Sequence, residues 1–149
     1  MTPLARLMST LAVVVIIAAS FGVASAQTRI ANPILYLAGT EPYSAGGKQF
    51  IRYKYGVDNF AVYPQEFFAA APSLPPCGSN TNSSRTWVDF YDQSGKRLYG
   101  FCALGKPADL NTIWFGLEEG AVPPSWVYIE MTDRQTGTKY KSNLADTVM

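Results

Sequence analysis

Histidine is absent from the 149-residue chain. Its absence removes Ser-His-Asp and Cys-His nucleophilic catalysis and the commonest transition-metal ligand. Cysteine is scarce: Cys77 and Cys102 are the only two, and they do not form a C-x-x-C pair. A zinc site would need carboxylates for its remaining ligands, which is rare, and nothing in the spacing marks a reactive low-pKa thiol. No glycine-rich phosphate loop follows a strand-like run. No long helical period and no internal repeat are present. Excess charge of one sign is also missing. Without Arg6 the 12 basic residues become 11, scattered along the chain and balanced by 11 acidic ones. Such a balance does not favour nucleic acid as a partner. No motif implies a cofactor.

The N-terminus carries an export signature. Arg6 gives a positive start, Leu11 to Ala19 an apolar stretch, and Ala24-Ser25-Ala26 a small-residue cleavage site. Residues 1–26 therefore read as a signal peptide, with Gln27 as the mature start and a periplasmic or secreted destination. Leu7 to Ala26 also approaches the roughly 20 residues of a membrane anchor, so membrane contact is expected only if the segment is kept. No cysteine sits at the cleavage point to take a lipid. The remaining 123 residues suit one domain with a real core. Export also permits a disulfide, and two cysteines allow one intramolecular pairing, Cys77–Cys102.

Short strand-like runs follow a brief arm at 27–32. Pro33 to Ala38 is apolar and closed by Gly39, and Glu41 to Gly47 is turn material. In Gln49 to Val57, Ile51, Tyr53 and Tyr55 alternate with Arg52 and Lys54, a half-buried strand. Phe60 to Ala71 contains Pro64 and reads as an edge strand with a bend, or a helical turn after the proline. Pro72 to Ser84 is a breaker-rich loop. Arg85 to Asp92 and Lys96 to Leu104 form a hairpin around Asp92-Gln93-Ser94-Gly95. Asn111 to Leu117, Ser125 to Asp133 and Thr138 to Ser142 complete the set, and residues 143–149 read as a frayed tail. Seven or eight short strands with turns at about ten-residue intervals predict an all-β antiparallel sandwich over 33–142.

Trp87 early in a central strand and the C-terminal hairpin Val-Tyr-Ile-Glu…Thr-Gly-Thr-Lys-Tyr resemble an immunoglobulin-like or fibronectin type III-like sandwich, as in small exported bacterial proteins. The resemblance is architectural and implies no activity. Cys77 and Cys102 depart from it. They lie 25 positions apart around a single strand, so their bond would tie the Pro-rich loop to the return strand. Such a closure contributes roughly 3–4 kcal/mol.

Parity assigns the side chains. Val88 and Phe90 point inward, because the alternative would bury Asp89 without a partner. Trp87, Asp89 and Tyr91 then point outward. In the later strand Val127, Ile129 and Met131 point in, and Trp126, Tyr128 and Glu130 point out. The resemblance makes these strands neighbours in one sheet, so Trp87, Tyr91, Trp126 and Tyr128 become a candidate binding face with two carboxylates among them. Such a face suits a sugar ring, a protein partner or a second copy of the chain.

Three functions compete. The leading one is an exported non-enzymatic binding or interaction module that uses this aromatic face or the sandwich-end loops. An alternative is a carboxylate-based hydrolase, which needs two of Asp89, Asp92, Glu118, Glu119, Glu130 and Asp133 in one cleft, about 5–9 Å apart. Asp89 and Asp92 offer oxygen ligands for Ca²⁺, but lack the spacing of a calcium loop. The third function is a structural accessory domain of an envelope assembly that pairs through an edge strand, with Phe60 to Ala71 as the candidate edge.

Overall fold

The computed structural model describes residues 30–71, 73–74, 84–101 and 104–148. The export signature, both cysteines and hence the Cys77–Cys102 pairing lie outside the described residues.

Eight strands appear in order: β1 (Leu35–Ala45), β2 (Lys48–Val57), β3 (Thr86–Asp92), β4 (Arg97–Phe101), β5 (Ile113–Glu118), β6 (Trp126–Asp133), β7 (Lys139–Lys141) and β8 (Ala145–Asp146). All their pairings are antiparallel. One sheet has the order β1-β2-β5; the other has β4-β3-β6-β7, with β8 also on β6. The chain is an all-β antiparallel sandwich, as its alternating runs predict.

Period-two alternation places the core. Tyr53, Tyr55 and Val57 of β2 and Ile113 and Phe115 of β5 face Val88 and Phe90 of β3 and Val127, Ile129 and Met131 of β6, and all are buried. The two layers meet through rings: Tyr55 and Phe115 of the small sheet lie 5.3 and 5.6 Å from Phe90 of the large one. Each such side chain contributes roughly 1.5–3 kcal/mol of apolar burial. Tyr55 is fully buried but not orphaned, because its hydroxyl donates to the Asp146 carbonyl at 3.0 Å. Burial raises the Tyr55 pKa above its ordinary value, so the phenol stays neutral.

Three expectations are corrected. The first concerns β1, which does not stop at Gly39. It runs on to Ala45 across a register shift between Leu37 and Gly39. The bulge absorbs the glycine, and Pro42 is tolerated because β1 is an edge strand. Only Gly46-Gly47 remain as the turn, both with the positive φ (58° and 77°) that a two-residue hairpin demands.

The second concerns Phe60 to Ala71, where the edge-strand alternative fails and the helical turn after Pro64 is what forms. The segment forms two 3₁₀ turns, Phe60–Val62 and Gln65–Phe67, with Pro64 opening the second. Tyr63, Phe67 and Phe68 are buried by plugging the sandwich end, a spacing that alternation cannot provide. The third concerns the segment from Asn143, which is not frayed. Ala145 and Thr147 are buried and β8 pairs with β6. The Asn143 amide takes the place of a strand partner: it accepts from Leu35 N–H at 2.8 Å and donates to Leu35 C=O at 3.0 Å. One side chain thereby joins the free edge of β1 to the β7–β8 segment of the other sheet.

Candidate functional site: the outer faces of the sandwich

The β3–β6 register builds the outer face of the large sheet in rows. Trp87 lies opposite Thr132, Asp89 opposite Glu130, and Tyr91 opposite Tyr128, with Trp126 next along β6. The four sequence-named aromatics do share this face, but they are not one patch. The carboxylate row separates Trp87 from the tyrosines.

Their environments differ. Trp87 is half-buried, and its Nε1–H donates to Asp89 at 2.7 Å. Arg97 and Arg134 lie over its ring, at 5.7 and 5.9 Å from the centroid. Tyr91 and Tyr128 stack on each other at 5.3 Å, and the Lys141 ammonium lies 4.0 Å from the Tyr128 centroid. Burial, followed by the nearby Asp89 and Glu130 charges, raises the Tyr91 pKa. Trp126 is different: it is 48% exposed, and among the described residues its ring meets no other ring and no cation. Its indole N–H is pinned to Asp146 at 2.8 Å, and its backbone N–H donates to the Gln93 side chain at 3.3 Å.

The carboxylates named as hydrolase candidates are mostly committed to other work. Asp89 and Glu130 face each other, a repulsive placement, and each is neutralised by a cation: Arg97 at 2.6 Å and Lys139 at 2.7 Å. The bond that Lys139 donates to Glu130 in turn raises the Lys139 pKa. Asp92 caps its own hairpin turn, accepting from the Ser94 N–H and hydroxyl and the Lys96 N–H. Those bonds, that from the Ser94 hydroxyl foremost, lower its pKa. Glu118 pairs with Lys48 at 2.7 Å, and Glu119 is exposed in the following turn. Asp133 is buried in a two-pronged bond with Arg85, at 2.9 and 2.6 Å. Burial alone would raise its pKa, but the Arg85 guanidinium, the Gln135 N–H and the Thr136 hydroxyl outweigh burial and lower it. Among the described residues no three Cys, Asp or Glu side chains converge as a metal site.

The small sheet has an aromatic face of its own, which was not among the candidates. The Arg52 guanidinium lies between the Tyr43 ring at 4.6 Å and the Trp114 ring at 4.4 Å. Phe50 stacks on Tyr43 and Tyr99 on Trp114, at 5.2 and 5.3 Å. Glu41 accepts from Arg52 at 2.9 Å and Lys54 at 3.0 Å, and these bonds, that from Lys54 first, lower its pKa. Tyr43 reaches across β2 to lie on Gly116, where a Cβ would collide with its hydroxyl. The parity of β5 carries the signal for Trp114: with Ile113 and Phe115 inside, Trp114 must face out. Parity likewise gives Arg52. The ladder itself depends on β2 lying between β1 and β5, which no local pattern reveals.

Comparison with protein families, with characterised proteins and with solved structures finds no match for this chain.

Proposed function

We propose that the chain is an exported, non-enzymatic binding module that engages its ligand at the Trp126 end of the large sheet. One observation carries the reading: Trp126 is 48% exposed, with no ring or cation partner among the described residues, while its indole nitrogen is fixed by Asp146. A half-exposed tryptophan held still loses little side-chain entropy when something flat stacks on it. The neighbourhood favours a sugar ring. Lys141, Glu130, Asp146 and the tyrosine hydroxyls supply donors and acceptors beside an apolar platform. Trp87 is a scaffold residue in this reading, clamped by Asp89, Arg97 and Arg134.

Strand order supports the immunoglobulin-like resemblance. In the constant-type immunoglobulin sandwich strands one, two, five and four share a sheet, and three, six and seven share the other. Here β1, β2 and β5 lie together, β3, β6 and β7 lie together, and β4 pairs with β3 instead of β5. The resemblance carries no ligand, so the test is direct. Tryptophan fluorescence is recorded against a panel of soluble oligosaccharides. A saturable change in the native chain that disappears in Trp126→Ala is the expected result. A panel that leaves the native emission unchanged removes the sugar reading.

A further inference from the structure

The edge for strand pairing lies elsewhere than in Phe60 to Ala71. β7 is the terminal strand of the large sheet, paired on one side only. Thr138 C=O accepts from Asp133 N–H, and Ser142 N–H donates to Ile129 C=O, so the even-numbered residues of this strand bond to β6. By the antiparallel alternation, the N–H and C=O groups of Lys139 and Lys141 point away from the sheet. They find no partner among the described residues. Beside this edge lies a groove of about 960 Å³ between the N-terminal arm and β7. Its lining mixes Ile30, Val62, Phe67 and Tyr140 with the charged Glu66, Arg85 and Asp133. A volume of that size is unusual for a close-packed interior and falls within the range of binding clefts.

We infer that β7 and this groove receive an extended segment of a partner protein, added as a further strand. Strand addition takes affinity from main-chain hydrogen bonds and specificity from alternate side chains. The two parities of the incoming strand would meet different chemistry. One parity enters the groove on the Phe67 and Tyr140 side, where an apolar side chain packs best. The other lies on the outer face beside Lys141, exposed over the Tyr128 ring, and Lys139, exposed but also paired with Glu130, and is matched by acidic residues. Edge lysines also deter indiscriminate pairing, so the same two residues that reject neutral strands select an acidic one. The segment is therefore an alternating apolar–acidic strand. This site does not include Trp126, but it shares Lys141, which lies over the Tyr128 ring, with that face.

Two heptapeptides test the inference with the whole chain: one alternates valine and glutamate, the other valine and lysine. The valine–glutamate peptide is expected to bind at least tenfold tighter. It should also slow hydrogen exchange of the Lys139 and Lys141 amides at least tenfold. Lys141→Glu should reverse the preference, and gain of valine–lysine binding by that variant shows that it is folded. If neither peptide binds, the inference is overturned. Protection of both amides in the free chain would then identify the chain's own N-terminal segment as the occupant. Peptide binding that ignores the Lys141 reversal, or leaves both amides exchanging freely, overturns it as well.

Discussion

The two outer faces of the sandwich use the same materials to different ends. On the small sheet's outer face most large rings are bracketed, with Tyr36, 44% exposed, as the exception. Phe50, Tyr43, the Arg52 guanidinium, Trp114 and, from β4 of the large sheet, Tyr99 follow one another at stacking distance. Arg52 Nε is buried there without a hydrogen bond, which is tolerable only because ring faces lie on both sides of its cation. On the large sheet Trp87 and the Tyr91–Tyr128 pair are held in the same manner, but the row ends in Trp126, half exposed and without a ring or cation partner among the described residues. The contrast teaches that an aromatic on a sheet surface is evidence for binding only when its faces are free. Otherwise it is the sheet's second, thinner core.

Four substitutions break or sharpen that contrast. The largest effect is expected inside the large sheet, at the end of β6 furthest from Trp126. Asp133→Asn leaves the Arg85 cation without its counter-charge and should cost roughly 3 kcal/mol in urea unfolding, without moving Trp126. The native pair also predicts an acid limit. Because the Asp133 pKa is lower in the folded than in the unfolded chain, its stabilisation is complete above the ordinary carboxylate value of about 3.9. It is lost as pH falls through the depressed folded value. A urea midpoint that declines below about pH 4 in the native chain, and declines less steeply in Asp133→Asn, is the expected titration.

Next comes the ladder. Trp114→Ala should cost about 2–3 kcal/mol, near the lower limit for emptying a large aromatic site because the residue is only half-buried. Arg52→Met keeps the aliphatic stem but removes the cation, and should cost about 1 kcal/mol. A cost near zero would show that stem packing, not charge, joins Tyr43 to Trp114. The smallest stability effect belongs to Trp126→Ala, within about 0.5 kcal/mol, although it should abolish the ligand response. The stability order Trp114 above Trp126 and the functional order Trp126 above Trp114 together define the difference between the faces.

Much of this was legible from period-two alternation. The inward set of β3 and β6 and the outward placement of Trp87, Tyr91, Trp126 and Tyr128 follow from parity alone, because a buried carboxylate at Asp89 or Glu130 would be too costly. The hairpin turn at Asp92 to Gly95 was readable from its residues: Asp92 receives three local bonds, and Gly95 takes the positive φ. What local pattern could not convey was set by partners distant in sequence. Asn143 looks like tail, yet it is held by Leu35, 108 positions away. Phe60 to Ala71 reads as edge strand or as a turn after Pro64; the turn is what forms, and nothing local shows that it drives Phe67 and Phe68 into the core. Whether the face of an outward tryptophan is covered depends on a neighbouring strand's cation, which is why Trp87 and Trp126 could not be told apart in the sequence.

The most direct measurement is ¹⁹F NMR of the intact chain with 5-fluorotryptophan at its three tryptophans. The Trp126 resonance is assigned by its loss in Trp126→Phe, and the other two by the corresponding changes at Trp87 and Trp114. On exchange from H₂O to D₂O, the Trp126 signal should show the largest solvent shift. It should also be the resonance that moves when a binding oligosaccharide is added. A Trp126 signal as insensitive to solvent as that of Trp114, or a ligand shift carried by Trp87 or Trp114 instead, would contradict the account.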